Sequence, residues 1–295
     1  MTGIIIKALS GFYYVSSGDE TYECKARGSF RKSGVSPLVG DSVKFEKTSE
    51  TTGIIDEILP RKNSLIRPPV ANIDKLFIVS SFSSPKPNTF LIDKMTVIAE
   101  YNNIKPIIVF NKCDMGDFSE FKSIYDKAGF KTYIVSAEEG IGIDELKDEM
   151  KSCISAFTGN SGVGKSSILN NIFGNSKIAT GEVSDKLGRG RHTTRHTELY
   201  KLTEDSFIAD TPGFSSLELD YRDFELKEKL SFLFADFEDY LNGCKFSTCT
   251  HTSENGCAVI GAVQNGEIEQ TRYESYIELF REMKDLKPWE AKKRK

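Results

Sequence analysis

The sequence predicts an α/β multidomain chain: an N-terminal β-barrel of oligonucleotide-binding (OB) type, a core of mostly parallel sheet covered by helices, and a C-terminal helical unit built around a metal. Three observations predict it. Short β-type runs crowd residues 1–68, and strand-like and helix-like stretches alternate over 69–220. From 221 to 295 the β-type runs stop, and three cysteines and a histidine gather in one short stretch. With 295 residues the chain has room for two or three domains of the usual size.

The first unit contains "GIIIKAL", "FYYVSS", "TYECKARG", "DSVKFEK" and "TGIIDEIL", separated by Gly, Ser, Asp and Pro, which is the rhythm of a small barrel. Phe12, Tyr13, Tyr14, Tyr22 and Phe30, with the basic loop residues Lys25, Arg27, Arg31 and Lys32, would suit an RNA-stacking face. The same alternating aromatics would equally fill the barrel, so both readings stand. At 67–70 "RPPV" ends the unit, since paired prolines favour an extended linker over continued pairing.

In the second unit "DKLFIVSS", "KPIIVFNKCD" and "KTYIVSA" are buried-strand runs that end in polar loops, with amphipathic stretches at 89–101 and 118–128 between them. Such alternation gives a parallel sheet with helices on both faces and a ligand at the carboxyl ends of the strands. "GNSGVGKS" at 159–166 follows the apolar "CISAF" and precedes the helical "SILNNIF", as a phosphate loop should. The predicted cradle is Gly159, Asn160, Ser161, Gly162, Val163, Gly164, Lys165, Ser166 and Ser167. Its glycines let backbone N–H groups turn inward, Lys165 neutralises β and γ oxygens and so also serves catalysis, and the Ser166 hydroxyl binds Mg²⁺.

"DTPG" at 210–213 follows the strand-like "SFIA". There Asp210 would hold Mg²⁺ through water and the Gly213 N–H would meet the terminal phosphate. "NKCD" at 111–114 reads as a base-binding loop. Asn111 suits the O6/N7 side of guanine, the Lys112 stem packs on the ring, and Asp114 accepts from N1–H and N2–H₂, which adenine cannot match, so GTP and GDP are favoured over ATP. "SAEEG" at 136–140 would add backbone N–H groups of Ser136 and Ala137 near O6.

The third unit carries Cys244, Cys249, His251 and Cys257, spaced C-x4-C-x-H-x5-C. Three thiolates and an imidazole make a closed tetrahedral shell for one structural Zn²⁺. The stretches "RDFELKEKLSFLFADFEDYL" and "EQTRYESYIELFREMKDL" on either side read as helices. A net charge of −4 confines any nucleic-acid surface to local basic clusters such as the terminal "KKRK", which a solvated tail explains as well. No run approaches the roughly 18 apolar residues of a membrane span, and the cysteine spacing is that of a metal site rather than a disulfide framework. Both point to a cytoplasmic protein, with a monomer as the default.

In chain order the set is "NKCD", "SAEEG", "GNSGVGKSS", "RGRHTT", "DTPG" and "CKFSTCTHTSENGC", with the base reader ahead of the phosphate loop. This order resembles the circularly permuted GTPases of bacterial ribosome assembly, the family of ribosome small-subunit-dependent GTPase A, over essentially the whole chain. The resemblance implies a barrel, a permuted GTPase core and a zinc domain, acting late in maturation of the small ribosomal subunit. The subunit and its rRNA would be the partners, and subunit binding would stimulate hydrolysis. It also implies a second Mg²⁺ ligand at Thr193 or Thr194, and His192 as the group that activates water.

Phe214 stands after Gly213, where many regulatory GTPases carry a glutamine, so intrinsic turnover should be slow. In the irregular stretch 175–197, Lys186, Arg189, Arg191 and Arg195 could neutralise transition-state charge or bind RNA phosphates. Because "DTPGFSSLELD" leads out into the third unit, loss of the γ-phosphate should bias the position of the zinc domain. Two other classes compete with this reading. A small-molecule kinase would need an acceptor pocket that no motif marks, and a binding module would hold nucleotide without hydrolysing it.

Overall fold

A computed structural model describes residues 1–28, 30, 34–82, 87–174, 197–210, 217, 219 and 224–283, with Asp210 and Phe224 described by their backbone. Alternating apolar residues make the first five strands: β1 (Thr2–Leu9), β2 (Phe12–Ser17), β3 (Glu20–Ala26), β4 (Ser42–Lys47) and β5 (Thr52–Ile58). They pair in the order β1-β2-β3-β5-β4, and β4 returns to β1, closing the barrel. Ile5, Val15, Tyr22, Val43, Phe45 and Ile55 fill it. Of the aromatics read in the sequence, Tyr22 belongs to this core, whereas Phe12, Tyr13, Tyr14 and Phe30 are half-buried and Lys25 Nζ lies 5.0 Å from the Phe12 ring centre.

The paired prolines do not open an extended linker. β6 (Ser64–Leu65) and β7 (Val70–Ala71) pair as a small hairpin, and Val70 bridges back to Val39 of the first unit. Proline lacks only its own N–H, and both prolines sit in the turn where the ladder asks for no donor, so the flanking residues remain free to pair. The expected boundary at 68 therefore falls inside a turn.

Six strands form the core: β8 (Lys75–Ser81), β9 (Lys105–Asn111), β10 (Lys131–Val135), β11 (Ile154–Thr158), β12 (Glu198–Lys201) and β13 (Phe207–Asp210). Their spatial order is β10-β9-β8-β11-β13-β12, parallel throughout except for the antiparallel edge strand β12, whose outer side pairs with β1 of the barrel. The helices are α1 (Thr89–Tyr101), started by an Asn88 side chain that accepts from the Leu91 N–H, α2 (Ser119–Lys127), α3 (Ile143–Glu149) and α4 (Lys165–Phe173). Period-two alternation assigns the two faces. Leu76, Ile78, Ile108 and Phe110 pack with α1 and α2, while Phe77, Val79, Ile107 and Val109 pack with α3 and α4.

In the C-terminal unit the second stretch read as helical forms a helix, whereas the first breaks up. α5 (Phe224–Lys229) stops early, and the chain continues as 3-10 turns at Leu230–Leu233 and Ala235–Gly243 before α6 (Ala258–Gln264) and α7 (Gln270–Met283). The buried residues Leu230 and Leu233, then Phe234 and Phe237, recur every third position, which suits the three-residue period of that helix. Arg272 of α7, 1% exposed, joins this unit to the core. It donates to Asp93 of α1 at 2.7 Å and to Asp236 at 2.7 and 3.2 Å, with its guanidinium between the rings of Phe130 and Phe234. Removing one partner from such a buried network costs about 3–5 kcal/mol, because the remaining charge is stranded. No described helix is long and apolar enough to cross a membrane.

Glu149 ties the end of α3 to the amino-terminal edge of the sheet. Its carboxylate takes hydrogen bonds from Lys75 (2.7 Å), Tyr133 (2.8 Å) and Lys131, and its side chain is 8% exposed. Burial alone would raise its pKa, but these donors hold it down to about 2, against an ordinary 4.5. The folded-state pKa is depressed, so the stabilisation is complete above the ordinary value and is lost as pH falls towards about 2. Allowing for the half-exposed Lys131, Glu149→Gln should cost about 2 kcal/mol near neutral pH. In urea unfolding the deficit should shrink as pH is lowered through the acid range; a deficit independent of pH would refute this account of Glu149.

Candidate nucleotide and metal sites

Among the described residues, the base-type loops and the phosphate loop each leave the carboxyl end of a parallel strand. Residues 136–141 follow β10, 111–114 end β9, 159–164 follow β11, and β13 ends at Asp210. Chain order is thus irrelevant to assembly, because the sheet order β10-β9-β8-β11-β13 places the base-type loops on one side and the phosphate loop on the other.

The phosphate loop is held by backbone approaches that only glycine permits. A Cβ at Gly159 (φ 138°) would lie 2.2 Å from the Val79 carbonyl oxygen, and one at Gly164 (φ 95°) would lie 2.1 Å from Asn111 Nδ2. α4 begins at Lys165 and aims its free N–H groups into the loop, which suits phosphate. Lys165 Nζ donates to the carbonyls of Gly159 (2.6 Å) and Asn160 (2.8 Å) from a half-buried position, and burial lowers its pKa from the ordinary lysine value. The loop's own carbonyls are weak counter-charges, so a polyphosphate would satisfy this ammonium better. The glycine cradle, helix start and half-buried ammonium fit a nucleotide's phosphates.

Asn111, 1% exposed, binds the loops together. Its Nδ2 donates to the Val163 carbonyl (2.9 Å) and its Oδ1 accepts from the Ala137 N–H (3.0 Å). Its amide group carries a second hydrogen, the donor expected to meet a base. Lys112, in left-handed backbone conformation (φ 68°), crosses to the Gly162 carbonyl at 2.9 Å. The Ser136 hydroxyl donates to Asp114 Oδ1 at 2.5 Å and accepts from the Glu139 N–H, which orients the carboxylate expected to read guanine. The Ser136 N–H is bonded to the Ile141 carbonyl at 3.0 Å. Both amides assigned to O6 in the sequence are therefore engaged within the protein itself.

Asn171 of α4, which belongs to none of the sequence motifs, donates from Nδ2 to the Ala137 carbonyl (2.8 Å) and so fixes the base-side loop to the phosphate-loop helix. An asparagine in the interior of a short helix, where it is a poor helix former, was the available signal. His192, Thr193, Thr194 and Gly213, with Lys186, Arg189, Arg191 and Arg195, lie outside the described residues. The backbone of Asp210 ends β13 one strand away from the phosphate-loop strand β11.

In the C-terminal unit the ligand atoms of Cys244, Cys249, His251 and Cys257 all lie within 4.8 Å of one another. His251 Nδ1 is 3.5 Å from the sulfurs of Cys244 and Cys257, which are 4.0 Å apart. A zinc tetrahedron with bonds of about 2.0–2.3 Å has edges of roughly 3.5–3.8 Å, so the four atoms suit one such ion. Burial, then the neighbouring thiols, push Cys249 up to about 12, and burial lowers His251. A neutral imidazole, and thiols of Cys249 and Cys257 that burial makes reluctant to ionise, are what a divalent metal would reverse. The N–H groups of Ala258 and Ile260 donate to the sulfurs of Cys244 and Cys257, and the Tyr273 hydroxyl bonds the His251 carbonyl at 2.9 Å.

Comparison with known proteins agrees with this geometry. The RsgA N-terminal domain family matches residues 2–55 and the RsgA GTPase family matches residues 58–220. The small ribosomal subunit biogenesis GTPase RsgA of Caldanaerobacter subterraneus subsp. tengcongensis is 46% identical over 96% of each chain. Its namesake from Halalkalibacterium halodurans is 45% identical over 96% of this chain and 97% of its own. Among solved structures, YjeQ from Thermotoga maritima superposes with a TM-score of 0.84 at 36% identity, covering 97% of this chain and 99% of that one. YloQ, described as a circularly permuted GTPase, gives 0.82 at 36% identity, covering 97% and 96%. With its closed five-stranded barrel and its base-type loop visited before its phosphate loop, the chain belongs to the RsgA GTPase family.

Proposed function

We propose that this GTPase binds GTP and GDP with Mg²⁺, carries one structural Zn²⁺, and acts late in maturation of the small ribosomal subunit, which binds it and stimulates its slow hydrolysis. The observation that carries the nucleotide assignment is Asn111, which joins the base-type loop, the phosphate loop and the Ala137 amide at one end of the sheet. The subunit enters through the relatives, which are named small ribosomal subunit biogenesis GTPases. The working units are the barrel (1–68), the permuted GTPase domain (69–220) and the zinc unit (221–295).

In this reading Asp114 selects guanine through its N1–H and N2–H₂, with Asn111 and Lys112 on the other edge and face of the base and the loop around Ser136 and Ala137 closing beside it. Residues 159–167 wrap the phosphates, and Lys165 balances charge developing on the β and γ oxygens. Ser166, Asp210 and either Thr193 or Thr194 hold Mg²⁺, which supplies electrostatic stabilisation of the transferring phosphoryl group. Gly213 meets the terminal phosphate, and His192 orients the attacking water in place of the glutamine that Phe214 displaces. Phe12 and Tyr14, with Lys25 beside the Phe12 ring, offer a face for rRNA, whereas Tyr13 and Phe30 pack against the core.

Nucleotide state reaches the zinc unit through the chain beyond Asp210, where Leu217 and Leu219 are buried. The Arg272 network resists that movement, so small displacements are expected. Equal position and mobility of the zinc unit with a GTP analogue and with GDP would exclude the coupling.

The experiment is phosphate release from GTP with and without small ribosomal subunits. Slow release alone and strong stimulation by subunits support the proposal; no release in either case indicates a binding module, and transfer to an acceptor indicates a kinase. In the same assay His192→Ala should lose most of the stimulated rate and keep its GTP affinity. A full stimulated rate would remove His192 from the mechanism.

A further inference from the structure

The edge strand β12 is shared between two units. On one side it pairs with β13, which ends at Asp210; on the other it pairs with β1 of the barrel. A single row crosses all three strands, with Lys7 opposite Glu198 and Glu198 opposite Asp210. Lys7 Nζ and Glu198 Oε1 are 3.0 Å apart, with side chains only 34% and 26% exposed.

Two further features show that this joint is built rather than incidental. β1 stays in the barrel closure through Ile5, whose N–H donates to the Asp41 carbonyl and whose carbonyl accepts from the Gly40 N–H, and its register against β2 then shifts between Ile5 and Lys7. Such an irregularity re-aims the side chains beside it. At the other end of β12, Lys201 Nζ donates to the Gly18 carbonyl (2.6 Å) and pairs with Asp19 (3.3 Å) in the turn between β2 and β3. The strand that holds β13 in place is therefore anchored at both ends to the barrel. A displacement of β1 has to be carried by β12 into the row that contains Asp210.

We propose that Lys7 and Glu198 are positioning residues for GTP hydrolysis, through which the barrel sets the place of the strand end that bears Asp210. This rests on the assignment of Asp210 to Mg²⁺ made above. Neither residue touches substrate; both act through the backbone of β12 and β13. Contacts made on the barrel by a partner thereby acquire a route to the hydrolytic site that does not pass through the zinc unit.

The test is single-turnover GTP hydrolysis by the full-length protein across a Mg²⁺ titration, with GTP affinity measured alongside. Lys7→Glu and Glu198→Lys should each slow hydrolysis about three- to tenfold, the effect of setting like charges opposite one another, and raise the Mg²⁺ needed for half the maximal rate. GTP affinity should hold. Lys7→Met, which removes the pair without repulsion, should show a smaller loss of the same kind. The double swap K7E/E198K should return the rate to within about twofold of the original. Lys44→Glu, which breaks the Lys44–Glu57 pair inside the barrel, should leave the rate unchanged.

Single variants at the original rate, a swap that restores nothing, or an equal loss in Lys44→Glu would overturn the proposal. Asp210→Asn separates the two levels. If that variant keeps the original Mg²⁺ dependence, the Asp210 assignment fails and the proposal with it. If it is inactive while the swap fails to rescue, the proposal alone falls.

Discussion

Lys165→Ala is expected to weaken GTP and GDP binding by about a hundredfold or more. A charge-assisted hydrogen bond is worth about 1.5–3 kcal/mol, Lys165 is placed to make at least two to phosphate oxygens, and each 1.4 kcal/mol is tenfold in affinity. The ammonium is also already half-buried, and among the described residues it donates to the Gly159 and Asn160 carbonyls, so little desolvation remains to oppose binding. The fold should survive, because the replaced side chain reaches only its own loop. Equilibrium titration with a fluorescent GDP analogue measures the effect. Retention of affinity within about threefold would mean that phosphate is held elsewhere.

Removal of metal is expected to loosen the C-terminal unit and spare the nucleotide. The loop that carries Cys244, Cys249, His251 and Cys257 has little regular structure of its own, and its sulfurs cap α6 through the Ala258 and Ile260 N–H groups. Structural zinc supplies about 10–16 kcal/mol in isolated zinc-finger peptides, more than this loop could replace from packing. Chelation, or Cys257→Ser, should therefore abolish slow amide exchange in 244–264 and lower it in α7, whose Tyr273 and Tyr276 bond the His251 and Thr250 carbonyls. GDP affinity should change by less than about twofold, since no ligand of the cluster touches the phosphate or base loops. Protein purified without chelator should hold one zinc per chain. Undiminished exchange protection in a metal-free sample would show that the four residues do not need the ion.

How much of this was legible in the sequence depends on how far apart the cooperating residues stand. The phosphate loop was legible because its chemistry is compressed into eight consecutive residues between an apolar run and a helical one. The metal ligands were legible for the same reason. Arg272 was not. In "EQTRYESY" it reads as one more charged residue on a helix, and its partners Asp93 and Asp236 are 179 and 36 residues away.

Nor was the β1–β12 joint legible, since an edge strand carries no mark of which chain segment will cover it. The hairpin around Pro68 and Pro69 was misread because the rule for paired prolines concerns their own missing donors, not the pairing of their neighbours. The 3-10 turns after Lys229 were misread because buried residues three apart fit an α-helical stripe nearly as well as a threefold one. The roles assigned to Ser136 and Ala137 N–H groups came from spacing, which cannot show that the protein already uses those donors.

The central claim is that loops visited in rotated order form one pocket for guanine nucleotide. Competition between GDP and ADP for the purified protein tests it most directly, because Asp114 can accept two hydrogen bonds from guanine and none from adenine. Asp114 is exposed here, and a carboxylate covered by a bound base but left without those donors should cost ADP about a hundredfold or more in affinity. Asp114→Asn should erase most of that difference. Equal affinity of the unaltered protein for GDP and ADP would contradict the account.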